Sequence, residues 1–122
     1  MATPNCEAVL VVEDQRDLRE LVVEILQEEG FRVYEAANGR EALQVLREMP
    51  QPALVLADLM MPVMDGSSLI AALREDDQFA TLPVVIVSAV NAQLPQGTRH
   101  VKKPIDLDDL TQIVSELCLR RA

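Results

Sequence analysis

Four apolar runs in this chain finish beside residues that can do chemistry. The stretch VLADLMMPVMDG, residues 55 to 66, is aliphatic until Asp58 and then turns through Pro62 and Gly66. The first apolar run stops on Glu13 and Asp14, a later one on Ser88, and the short run HVK is followed by Lys103. An anion adds nothing to the packing of a buried strand, so carboxylates at the ends of such strands point to a site outside them. If Glu13, Asp14 and Asp58 share one crevice, each raises the pKa of the others unless a divalent cation lies among them. All-oxygen donors with one or two carboxylates, completed by water and a phosphate, suit Mg2+. A hydroxyl from Ser88 and the point charge of Lys103 beside a metal-bound carboxylate form a site for a phosphoryl group.

The elements that must bring these groups together alternate along the chain. Apolar runs at 7–12 (EAVLVV), 31–36 (FRVYEA), 53–57 (ALVLA), 82–87 (LPVVIV) and 100–102 (HVK) predict five strands. Between the first two, Leu18, Leu21, Val22, Ile25 and Leu26 recur at helical spacing, and Gly30 sits where a helix ends. Asn38 can cap a second helix that carries Ala42, Leu43, Leu46 and Met49 on one side and stops at Pro50. A third helix runs from Ser67 to Glu75, and a fourth starts at Asp106 and buries Leu107, Leu110, Ile113, Val114 and Leu117.

Strands apolar on both faces and separated by helices imply a parallel sheet covered on both sides, with right-handed crossovers. The fold class is α/β: a doubly wound, flavodoxin-like, five-stranded parallel sheet of order 2-1-3-4-5. In that order the ligand crevice lies between strands one and three, where Glu13, Asp14 and Asp58 emerge. Only SAVNAQLPQGTR separates strand four from strand five, with Pro95 and Gly97 inside it. A parallel crossover usually carries a helix, so here that helix is shortened or missing, replaced by a helical turn or an extended loop.

At 122 residues the chain reads as a single domain, 1–122, large enough for a conventional core. Apolar residues make up 49% and charged residues 25%, the balance of an ordinary soluble protein. The formal charge of -9 repels phosphate backbones and argues against direct nucleic-acid binding. Cys6 and Cys118 have no metal-ligand spacing and form no disulfide framework, so both read as reduced thiols. The start, MATPNCEAVLVVED, has no basic region and no long apolar segment, and no run is long enough for a membrane span. The expected location is the cytoplasm.

Four pieces stand in order at successive strand ends: ED after the first, DLMMPVMDG after the third, SA after the fourth and KP after the fifth. With these, residues Ala8 to Leu119 resemble a response-regulator receiver domain, the phosphoacceptor half of two-component signalling. The resemblance implies that Asp58 is the nucleophile that takes a phosphoryl group from a histidine kinase or phosphotransfer protein. It implies Mg2+ ligated by Asp14, Asp58 and the backbone carbonyl of Met60, with Glu13 acting mainly through water. Ser88 and Lys103 would contact the phosphoryl oxygens, and the peptide from Lys103 to Pro104 would be cis. The output would be an unknown partner protein or a fused domain, reached through a changed protein-binding surface.

The chain departs from the family pattern in places. Glu13 stands where many members carry aspartate, and His100 takes the position of an aromatic switch residue. The segment from Ser88 to Lys103 is short, so the face that normally reports phosphorylation must be remodelled. Met60 and Val90 offer no polar atom to orient an attacking water, which implies slow self-dephosphorylation.

Blander readings stand beside these. Asp14 could simply cap the first helix, and Asp106, Asp108 and Asp109 suit a helix's first turn better than a metal. His100 reads as a partly exposed strand residue, and Met60, Met61 and Met64 as packing for the loop against the third helix. The competing function is a receiver-like interaction module that works without phosphorylation. A flavodoxin-like electron carrier lacks its phosphate loop here, since EDQRD follows strand one and the chain has no Trp. An aspartyl phosphatase would carry a second acid where Met60 stands.

Overall fold

The computed structural model describes residues 8–50, 52–89, 98–103 and 106–120. Along them run β1 (Ala8–Val12), α1 (Arg16–Glu28), β2 (Val33–Ala36), α2 (Gly39–Glu48), β3 (Pro52–Asp58), α3 (Gly66–Glu75), β4 (Val84–Ser88), β5 (Thr98–Lys102) and α4 (Leu107–Arg120). The five strands form one sheet of order β2-β1-β3-β4-β5, every pair parallel. This is the doubly wound arrangement expected. The residues that would form a turn or loop between β4 and β5, Val90 and Pro104 lie outside the described residues, as do Cys6 and the side chain of Cys118.

Alternation along the strands divides the core in two. Leu10, Val12, Val55, Ala57 and Ile86 face α2 and α3 and pack with Leu46, Leu69 and Leu73. Val9, Val11, Leu54, Leu56, Val85, Val87 and Val101 face the other way, against Val22 and Leu26 of α1 and Leu110 and Val114 of α4. Each fully buried aliphatic side chain contributes about 1.5–3 kcal/mol to stability. The central strands therefore hold their ends rigidly, which is what a reactive group at a strand end requires.

Helix ends follow the local signals. Gly30 takes φ 95°, the left-handed conformation that closes α1, and Phe31 folds into the core instead of starting β2. Asn38 caps α2 by accepting from the Glu41 N–H at 2.9 Å. Asp106 accepts from the N–H groups of Asp108 and Asp109 at 3.0 and 3.2 Å and caps α4, while Leu107 stays 40% exposed rather than buried. The third helix starts at Gly66, one residue before the expected Ser67, because Asp65 is its cap. No helix among the described residues is long and apolar enough to cross a membrane.

Candidate functional site

Because β1 and β3 are neighbours, their carboxyl ends open side by side. β3 runs through Asp58, which pairs with Val87 of β4, so the carboxylate is carried on the last rung of a buried strand and is only 6% exposed. Immediately beyond it the chain reverses. The Leu59 N–H donates to the Val87 carbonyl at 3.1 Å and the Gly66 N–H to the Leu59 carbonyl at 2.9 Å. A Cβ on Gly66 would lie 2.7 Å from the Asp58 carbonyl oxygen, so glycine is what lets the start of α3 lie against the end of β3. Asp65 accepts from the Ser68 N–H at 2.8 Å and caps that helix.

At the end of β1, Glu13 is buried and Asp14 is exposed. The Glu13 N–H donates to the Ala36 carbonyl of β2 at 3.0 Å, and Glu13 Oε2 accepts from the Gln15 N–H at 3.1 Å. Asp14 is not the cap of α1. That position belongs to Gln15, whose side chain makes no capping bond, and Asp14 is left facing the crevice. Glu13, Asp14 and Asp58 each offer a carboxylate oxygen within 4.8 Å of the others.

Among the described residues one ammonium group meets this cluster. Lys103 Nζ lies 3.3 Å from Asp58 Oδ2 and 3.7 Å from Glu13 Oε1, and the Lys103 backbone N–H donates to the Ser88 carbonyl at 2.9 Å. Ser88 and Lys103 are thus delivered together from adjacent strand ends. Asp14, Asp58, Met60, Ser88 and Lys103 line an open crevice of about 220 Å³. A larger hollow of about 360 Å³ runs along β5 and α4, but it contains none of the clustered carboxylates.

The electrostatics fit a cation. Burial, reinforced by a hydrogen bond with Asp14 and the charge of Asp58, pushes Glu13 up from 4.5 to about 7 against the opposing pull of the Gln15 N–H and Lys103. Three carboxylates, two of them buried, form the hard-oxygen donor set that a divalent cation would complete.

Some expectations need correction. Met60 does not pack the loop against α3: its side chain is 71% exposed at the lip of the crevice, while Met61 is buried and Met64 packs against the core. Leu59 is still buried, and Met60 alone is carried out to solvent between it and the buried Met61. His100 is a partly exposed strand residue paired with Ile86, and its Nε2 is buried with no hydrogen-bond partner among the described residues. Arg19, which no motif in the sequence marks, bonds to the Glu13 carbonyl. Its only sequence signal is an arginine at the edge of the apolar stripe of α1.

Comparison with known proteins agrees with this geometry. The model of the response regulator receiver domain matches residues 9–115. The chain is 38% identical over 122 residues to response regulator Rre1 of Synechocystis, covering 93% of this chain and 52% of Rre1, and so spans about half the length of that relative. It is 31% identical to sporulation initiation phosphotransferase F of Bacillus subtilis, covering 90% of this chain and 92% of that protein. The receiver domain of a signal transduction histidine kinase from Syntrophus aciditrophicus superposes with a TM-score of 0.84 at 27% identity, covering 93% and 91% of the two chains. On its sequence, its sheet order and the carboxylates gathered at the ends of β1 and β3, the chain belongs to the response regulator receiver domain family.

Proposed function

We propose that residues 1–122 act as one cytoplasmic receiver domain that takes a phosphoryl group from a histidine kinase or phosphotransfer protein onto Asp58. The observation that carries this reading is the convergence of Glu13, Asp14 and Asp58 within 4.8 Å of one another beside Lys103. An Asp58 carboxylate oxygen attacks the phosphorus of a phosphohistidine. The O–P bond forms as the P–N bond breaks, and the leaving imidazole nitrogen keeps the electron pair. Asp14, Asp58 and the Met60 backbone carbonyl would hold Mg2+, with Glu13 acting through water. The ion supplies positive charge to the phosphoryl oxygens when bound.

The protein's own groups do the remaining work. Rigid β3 fixes the direction of attack, Lys103 pairs with a phosphoryl oxygen, and the Ser88 hydroxyl donates to another. The aspartyl phosphate then alters the surface offered to an output protein or a fused domain. This is the part of a signalling phosphoacceptor rather than of a turnover enzyme, with self-catalysed transfer and slow autodephosphorylation. The exposed apolar side chain of Met60 orients no water, so Met60→Asn is expected to speed loss of the phosphoryl group.

Incubation with acetyl phosphate, with and without Mg2+, tests the reading by intact mass. One added phosphoryl group, dependent on Mg2+ and absent from Asp58→Asn, is expected. No addition from acetyl phosphate or from histidine kinases would favour the phosphorylation-independent module.

A further inference from the structure

Glu13 carries its side chain into the acidic cluster, yet its own peptide is held from outside the site. Its N–H donates to the carbonyl of Ala36 at 3.0 Å. Its carbonyl accepts from Arg19 Nη1 at 2.8 Å, and the Nε of the same guanidinium donates to Glu35 Oε1 at 2.9 Å. Glu35 is the residue before Ala36 on β2 and stands opposite Val11 of β1. Both polar groups of the Glu13 peptide are therefore tied to consecutive residues of one neighbouring strand, one bond being direct and the other passing through Arg19.

We infer that Arg19 is a positioning residue that locks the loop carrying Glu13 and Asp14, and so sets the site's affinity for a divalent cation. The inference rests on the receiver reading of the crevice and adds to it a residue outside that crevice.

The geometry favours a clamp over an ordinary surface ion pair. Arg19 is only 16% exposed, although its partner Glu35 is half-exposed, whereas the Arg16–Glu20 pair on the same helix is exposed on both sides. An exposed pair is worth little, but the planar guanidinium spans two acceptors at once, which an ammonium cannot do with the same rigidity. Within the loop the Gln15 N–H is tied to Glu13 Oε2, a bond that itself depends on where Glu13 is held. Asp14 and Gln15 are exposed, and the first helical bond, from the Arg19 N–H to the Gln15 carbonyl at 2.9 Å, begins on Arg19 itself. One residue thus donates the first bond of α1 and holds the Glu13 carbonyl beside the carboxylates. Loss of a partner that orients a metal ligand typically weakens metal affinity about tenfold or more.

The test uses the full chain with Mn2+ alone as the probe, its free concentration followed by electron paramagnetic resonance, and amide hydrogen exchange at residues 13–15 in metal-free protein. Arg19→Ala is expected to raise the Mn2+ Kd about tenfold and to speed exchange at Glu13 to Gln15. Arg19→Lys should recover part of the affinity. Ile113→Ala, a destabilising change remote from the site, should leave Kd alone. If Arg19→Ala does not fold, Glu35→Ala takes its place, with a smaller rise in Kd expected. A wild-type Kd in whichever variant is measured overturns the inference. Absence of Mn2+ binding by the unaltered protein overturns the reading of the crevice and the inference with it, a failure recognisable because it needs no variant.

Discussion

Lys103 Nζ stands 3.3 Å from Asp58 Oδ2, joining two residues 45 positions apart in the chain. Asp58 is buried, so the ammonium offsets a charge that water reaches poorly. Lys103→Ala leaves Asp58 and Glu13 facing each other without it. The metal-free variant should lose about 1–3 kcal/mol, lowering its thermal midpoint by roughly 4 °C for each kcal/mol lost. Added Mg2+ should recover much of that loss, which calorimetry with chelator and with Mg2+ can check.

Glu13 gives the metal-free protein a pH dependence of definite sign. Its pKa rises from 4.5 to about 7 on folding, chiefly through burial, so between those values the folded chain holds a proton that the unfolded chain has released. That contribution to stability is fully present below 4.5 and is lost as pH rises through about 7. Urea unfolding in chelator should show stability falling across this window, and Glu13→Gln should flatten the slope. Divalent-cation affinity should rise over the same window, because the cation needs the ionised form.

Gly66 and Gly39 flank the turn after Asp58 from two sides. A Cβ at Gly66 would lie 2.7 Å from the Asp58 carbonyl oxygen and 3.0 Å from the Leu59 Cα, both backbone atoms. One at Gly39 would meet the flexible Met64 Cγ at 2.6 Å as well as the Met64 carbonyl at 2.8 Å. Each alanine substitution should cost about 1–3 kcal/mol. Gly66→Ala should also slow phosphoryl acceptance, because the backbone it displaces carries the nucleophile. Denaturant midpoints and labelling rates, measured together, separate the two effects.

Val63 sits in the same turn at φ 68°, a conformation that a β-branched side chain adopts only under strain, and it is 73% exposed. Val63→Gly should relieve that strain with little loss of burial and stabilise the protein by about 1 kcal/mol. A lower thermal midpoint for this variant would contradict the account.

Much of this architecture was legible in the sequence because the signals are local. Runs such as ALVLA and the helical spacing of Leu18, Val22 and Leu26 depend on residues a few positions apart, and Gly30 and Asn38 mark helix ends by their own backbone and side-chain preferences. Asp58, Ser88 and Lys103 stand out because each interrupts or follows an apolar run. What stayed hidden depends on distant parts of the chain. Arg19 acquires its place only when β2 brings Glu35 beside α1, and Asp14 is released from helix capping because Gln15 takes that position. The exposure of Met60 follows from the turn geometry set by Gly66, which hydropathy does not encode.

The central claim is that Asp58, alone among the three clustered carboxylates, receives the phosphoryl group. Borohydride reduction of protein treated with acetyl phosphate and Mg2+ converts an aspartyl phosphate to homoserine, and peptide mass mapping then places that homoserine in the chain. The account predicts conversion at residue 58 and none at 14, lost when Mg2+ is withheld. Conversion at Asp14, or an acid-stable phosphate on Ser88 with Asp58 unchanged, would contradict it.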